Sequence, residues 1–173
     1  MAVKKVAVMI YPNFSMQEIS CLTDALTVWY GIKIDVFASS KEIMLSEDGF
    51  QIIANKVFED FIVEEVLVDN SVANINTVLP NRVLGSTSKK QRYLLCVLIK
   101  KNWDTLIAIK IIAKAICIES GRVQFAGIKE AKAVTGQYIT LENASIEEAE
   151  KISISNVKIV PVGYVRDVLS IFY

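Results

Sequence analysis

The chain has 173 residues, 53% of them hydrophobic, enough for one compact domain (residues 1–173) with a sizeable core. Nineteen basic and nineteen acidic residues cancel and no Lys/Arg stripe forms, which argues against nucleic acid as a partner. Histidine is missing, so the commonest general base and the commonest metal ligand go together, and a Ser-His-Asp or Cys-His-Asp centre needs an imidazole from another chain.

Met1-Ala2-Val3-Lys4-Lys5 leads into a short apolar run without a signal-peptide pattern, so a cytoplasmic location is expected. Lys5–Ile10 is a continuous β-prone run suited to a strand buried on both faces. After the turn Tyr11-Pro12-Asn13-Phe14, Ser15-Met16-Gln17-Glu18 fits a capping box and opens a helix to about Trp29, burying Ile19, Leu22, Ala25 and Leu26. Ile32–Phe37 alternates as a second strand, which makes residues 5–38 a βαβ unit with a right-handed crossover. Glu47-Asp48-Gly49 between two short apolar runs predicts a hairpin.

From Phe61 to Lys101 the pattern is weaker: Asn74–Pro80 fits a buried strand ended by proline, and Gln91–Lys101 fits a helix. Leu106–Cys117 reads as a core strand, although Lys110 and Lys114 lie one helical turn apart and permit a helix. It is too short and too charged to span a membrane, which needs roughly 20 apolar residues. A helix is expected from Cys117 to a stop at Gly127. Ala131–Thr135 and Val157–Pro161 are strand candidates on either side of an acidic helix, Ser145–Glu150, and Val165–Phe172 closes the chain as a helix. Strands alternating with helices predict an α/β, doubly wound and mostly parallel sheet with ligands at the strands' carboxyl ends. Glu18 and Cys117 fall just past such ends, with Tyr11 and Tyr164 at the edge of the same cleft.

Three cysteines without CxxC spacing indicate neither disulfides nor a zinc site, so Cys21 and Cys96 read as core thiols. Glu147, Glu148 and Glu150 read as a solvated face, and neither metal nor cofactor is indicated. Cys117 has two readings, a buried small hydrophobe or a reactive thiol on a strand-to-helix corner.

The segments VAVMIYPNFSMQEISCLTDAL, IKIDVFASS, SEDGFQI and FEDF over residues 3–61 resemble the opening of the ThiJ/PfpI family, which is related to class I glutamine amidotransferases, and the resemblance implies a flavodoxin-like fold with helices on both faces of the sheet. IIAKAICIESGRVQFAGIKEAKAVTG is similar to that family's nucleophile-elbow segment, with Cys117, Gly127, Thr135 and Gly136 in register. VKIVPVGYVRDVLSIFY resembles the family's last strand, glycine turn and closing helix. The resemblance implies Cys117 as nucleophile or redox-sensing thiol, Glu18 as the carboxylate bonded to its sulfur, and oxyanion donors at the backbone N–H groups of Ile118 and Asn81. It implies small-carbonyl chemistry of the glyoxalase or deglycase type, or oxidation sensing, on a small-molecule carbonyl or peptide-like ligand, in a homodimer. Ile118 stands where peptidase-like members carry histidine, and Glu119-Ser120 replaces Gly-Pro. Those departures favour a rival, a non-enzymatic dimeric stress-associated binding protein; an amidase or peptidase ranks last.

Overall fold

The computed structural model describes residues 5–76, 83 and 85–169. The chain forms two compact units, Met1–Phe61 and Ile62–Tyr173.

In the first unit, strand β1 (Lys5–Met9) is followed by helix α1 (Met16–Asp24), which runs on as a π-helical turn over Ala25–Trp29, and then by strand β2 (Lys33–Ala38). β1 and β2 pair in parallel from Lys5↔Lys33 to Met9↔Phe37, so the βαβ unit is present. Strand β5 (Lys56–Val57) adds a third parallel partner on β2. β3 (Ile43–Leu45) and β4 (Gln51–Ile53) form the hairpin, turned by Gly49 at φ +82, a conformation that costs glycine little. Ser15 occupies the N-cap of α1, but its side chain makes no capping bond. The expected inward face is only half covered: Ile19, Ala25 and Leu26 are half-buried, with Ile19 packed against the unit's core, while Leu22 is 55% exposed. Ile10, Ala38, Met44 and Ala54 form this unit's small core.

The second unit is a mixed sheet, ordered β10-β7-β9-β6 with β8 also on β9. Its strands are β6 (Ile62–Glu64), β7 (Tyr93–Lys101), β8 (Val123–Phe125), β9 (Val134–Glu142) and β10 (Val157–Val165). β7 is antiparallel to both β9 and β10, and only β6 runs parallel to β9. Pro161 is tolerated because β10 lies on the sheet's edge, where a missing N–H breaks no ladder. Two helices accompany the sheet, α2 (Thr105–Ala115) and α3 (Ile146–Glu150).

This architecture corrects the flavodoxin-like, doubly wound expectation, and the error has a physical origin. Tyr93–Lys101, expected as helix, is the sheet's central nine-residue strand. A continuous apolar run carries no helical or strand period when both faces are buried. Leu106–Cys117, expected first as strand, is helix α2. The Asp104 carboxylate accepts from the Leu106 and Ile107 amides at 2.8 and 3.0 Å, and Ala108, Ile109, Ile112 and Ala113 face inward while Lys110 and Lys114 face out. Each inward isoleucine contributes about 1.5–3 kcal/mol by burial. The helix expected after Cys117 is instead a single 3-10 turn, Ser120–Arg122, leading into β8. Where a closing helix was expected, β10 extends to Val165; residues 170–173 lie outside the described residues, as does Thr77–Pro80 of the expected buried strand.

The acidic helix α3 is present, with a capping box in which the Ser145 amide donates to Glu148 Oε2 at 2.7 Å and the Glu148 amide to Ser145 Oγ at 3.2 Å. One face of β7 (Leu94, Cys96, Leu98) packs with Ile109 and Ile112 of α2. The other (Leu95, Val97) packs with Tyr138, Val160 and Ala73. At β9 the segment around Ala73 comes too close for any side chain: a Cβ on Gly136 would lie 2.0 Å from the Ala73 carbonyl oxygen.

Candidate functional site

The segment joining β8 to β9, residues 126–133, is held by polar groups that sit where the sheet's alternation calls for core residues. Lys100 shares the α2 face of β7 with Leu94, Cys96 and Leu98 and is 0% exposed. Its ammonium donates to the carbonyl oxygens of Trp103 at 2.8 Å, Glu130 at 2.9 Å and Lys129 at 3.5 Å. Burial pushes the Lys100 pKa below its ordinary value, while Asp104 and Glu130 pull it back. Thr105 Oγ1, also 0% exposed, accepts from the Lys129 amide at 3.2 Å and lies 3.3 Å from the Lys129 carbonyl oxygen and 3.4 Å from Gln137 Oε1. Gln137, buried in β9, donates from Nε2 to the Gly127 carbonyl at 3.2 Å.

Glu65 clamps the loop from another direction. Its Oε1 accepts from the Lys129 ammonium at 2.9 Å, and its Oε2 accepts from the Tyr138 amide at 2.7 Å. The side chains of this ion pair are only 20% and 10% exposed, so solvent screens it weakly. The Asn102 amide donates to the Ala133 carbonyl at 3.0 Å and closes the far end.

A loop held at Gly127, Lys129 and Glu130 by buried side chains and at Ala133 by the Asn102 amide is rigid, and rigidity of this kind is what a reacting group requires. Glu130 and Lys132, both exposed, are its charged side chains turned toward solvent. Glu130 Oε1 also accepts from the Lys132 amide at 2.9 Å, which restricts the carboxylate's rotamers.

On the sheet face opposite α2 lies a cavity of about 830 Å³. Leu67, Val83, Leu95 and Val165 supply its apolar wall, and Arg92 and Arg166 with Asp69 and Asp167 bring charge of both signs to it. Arg92 also pairs with Glu142 at 2.8 Å and lies 5.3 Å from the Tyr93 ring centroid. Ala126 lines the cavity and directly precedes Gly127, so cavity wall and pinned loop are continuous along the chain. Among the described residues no cluster of three or more His, Cys, Asp or Glu side chains is arranged to hold a metal ion.

Cys117 follows a helix and not a strand. It is exposed, with φ +56, and it takes the left-handed position directly after Ile116, the C-cap of α2. The Ile118 amide donates to the Ala113 carbonyl at 2.9 Å and the Cys117 amide to the Lys114 carbonyl at 3.2 Å, the two bonds of a Schellman motif. The positive φ therefore has a helix-capping cause, the strand-to-helix elbow is not formed, and the Ile118 N–H is already committed to Ala113. Glu18 is exposed in the first turn of α1, in the other compact unit from Cys117. Asn81 lies outside the described residues. Cys96 is fully buried as expected, whereas Cys21 is exposed.

Over this loop the sequence pattern offers only a helix stop at Gly127 and a strand candidate from Ala131. The signals that locate it are Lys100, Thr105 and Gln137, three polar residues in phase with core positions of their elements.

Comparison with known proteins matches residues 40–171 to the family profile "tRNA pseudouridine synthase D (TruD)". Among curated relatives, the "Probable tRNA pseudouridine synthase D" of Archaeoglobus fulgidus is 32% identical over 108 residues, 62% of this chain and 22% of that protein. Its counterpart from Pyrococcus abyssi is 38% identical over the same shares. A crystal structure described as tRNA pseudouridine synthase D (TruD) from Methanosarcina mazei aligns with TM-score 0.52 at 26% identity, over 65% of this chain and 22% of that one. The chain thus spans about a fifth of the length of these relatives.

These findings overturn the ThiJ/PfpI resemblance, and with it the deglycase, oxidation-sensing and amidase readings and the glutamine-amidotransferase relationship. The expectation of no nucleic-acid partner falls too: a formal charge summed over the whole chain says nothing about a local exposed cation such as Lys132. The segment FEDF, credited to the resemblance, lies inside the matched residues. On the match over residues 40–171, the chain belongs to the tRNA pseudouridine synthase D (TruD) family.

Proposed function

We propose that the chain forms part of a catalytic centre that isomerises uridine to pseudouridine in tRNA, with Glu130 as its reacting carboxylate. The observation that carries the reading is the loop itself, a segment inside the family match whose backbone is pinned by a buried ammonium, a buried hydroxyl and a buried amide while its carboxylate stays accessible.

The chemistry asks for such a group. The bond between N1 of uracil and C1′ of ribose breaks, a bond forms between C5 and C1′, the hydrogen on C5 leaves as a proton, and N1 gains one. A carboxylate can stabilise positive charge developing at C1′, as paired carboxylates do in glycoside cleavage, or take the proton from C5. Lys132, exposed on the loop, suits a phosphate flanking a target nucleotide, since phosphate contacts position a nucleic acid without reading its sequence. The activity belongs to the intact protein, and a cytoplasmic location beside the tRNA pool goes with it.

Tritium released to water from tRNA carrying [5-³H]uridine measures the reaction directly, because C5 loses its hydrogen in every turnover. Release by the intact protein with tRNA, and none from the same transcript alone, is the expected result. Failure to release tritium from any tRNA of a total pool would refute the proposal.

A further inference from the structure

We propose that Lys100 is a positioning residue for this centre: its buried ammonium gathers the carbonyls of Trp103, Lys129 and Glu130 and so fixes the loop in the geometry from which the Glu130 carboxylate acts. The inference rests on the role given to Glu130 above.

Three observations support it. All three acceptors of the ammonium are neutral carbonyls, two of them consecutive on the loop, so the bonds shape backbone and form no ion pair. The residue completes the Leu94, Cys96, Leu98 row, where an apolar side chain would bury without desolvating a charge. The charge is held against its own preference: burial disfavours it, and Asp104 and Glu130 offset that only in part. A side chain selected for stability alone would be aliphatic here. What the ammonium provides that an aliphatic chain cannot is a fixed point for the Lys129 and Glu130 peptide groups. Thr105 and Gln137 pin the flanking carbonyls and amide but leave the Glu130 carbonyl to Lys100.

The test is Lys100→Met, which keeps a long unbranched chain and removes the donor. In native-state hydrogen exchange, the amides of Lys129 and Lys132, bonded to Thr105 Oγ1 and Glu130 Oε1, should exchange about tenfold faster, while those of Leu95–Leu98 in β7 keep their rates. In tritium release, kcat should fall about 30-fold or more with the dissociation constant for tRNA within about threefold of wild type, the signature of lost positioning. The melting temperature should stay level or rise.

Unchanged exchange at Lys129 and Lys132 would overturn the proposal. So would faster exchange with unchanged kcat, or a kcat loss matched by an equal loss of tRNA affinity. A melting temperature lowered by more than about 10 °C would mark Lys100 as a plain stability residue and overturn it as well. If the wild-type protein releases no tritium, the role of Glu130 falls, and exchange at Lys129 and Lys132 then decides alone whether Lys100 pins the loop.

Discussion

The Glu65–Lys129 pair ties strand β6 to the loop, and its contribution can be worked from the geometry. Glu65 makes two charge-assisted bonds, 2.9 Å to the Lys129 ammonium and 2.7 Å to the Tyr138 amide, with its side chain 10% exposed. Glu65→Gln keeps the shape and can still accept from Tyr138, but it turns an amide N–H₂ or a neutral oxygen toward the ammonium. One charge-assisted bond is lost and a largely buried cation is left without its anion, which together cost about 2–3 kcal/mol. Lys129→Met leaves the carboxylate only the Tyr138 amide and costs about 1–2 kcal/mol. Because each single change strands a charge that the double change removes, the double variant should be more stable than the sum predicts, with a coupling of about 1.5 kcal/mol. Urea denaturation followed by fluorescence of Trp103, which packs against the α2-side core, measures all three variants. A coupling below about 0.3 kcal/mol would refute the claim that this pair fastens the loop.

Gly136→Ala places a Cβ 2.0 Å from the Ala73 carbonyl oxygen, so Ala73 must move and loosen its 2.8 Å amide bond to the Glu65 carbonyl; a loss of about 2–4 kcal/mol in the same denaturation assay is expected, and a neutral result would contradict the close approach. In alkylation of the native protein read by peptide mass spectrometry, the exposed Cys21 and Cys117 should label promptly, and Cys96, whose thiol burial pushes far above its ordinary pKa, about 100-fold more slowly; equal labelling would refute the burial. Burial, with Asp69 and Glu65 nearby, pushes the Tyr138 phenol up to about 12, so absorbance titration should show one tyrosine ionising near that pH. The unfolded phenol ionises near pH 10, so ionisation favours unfolding and the contribution of Tyr138 to stability falls as pH rises from about 10 to 12. Titration of every tyrosine at about 10 in the folded protein would exclude a buried Tyr138.

Residues 5–57 were legible where local signals agree. An apolar run, a helix of helical period and an alternating strand give β1, α1 and β2, and Glu47-Asp48-Gly49 gives the β3–β4 hairpin. The second unit was harder because its main elements are buried on two faces, which erases the period that tells strand from helix. Tyr93–Lys101 is strand where the pattern suggests helix and Leu106–Cys117 largely helix where it suggests strand for that reason, and the N-cap Asp104 is the local signal that settles the second. With those two exchanged, Cys117 moves from the end of a strand to the end of a helix, and the elbow vanishes with it. The site was legible only in part: Lys100, Thr105 and Gln137 could have been flagged as polar residues at core phase. That they meet on one loop is a long-range fact, spanning 32 residues between Thr105 and Gln137. Net charge does not exclude a nucleic-acid partner, because it averages over a surface that a nucleic acid meets locally.

The central claim is that the pinned loop delivers the Glu130 carboxylate to a uridine of tRNA. Its most direct test is single-turnover tritium release by Glu130→Gln beside wild type, with tRNA binding measured in parallel. The account predicts a rate lower by about 100-fold or more with affinity within about threefold. A Glu130→Gln protein that releases tritium within about twofold of the wild-type rate would contradict it.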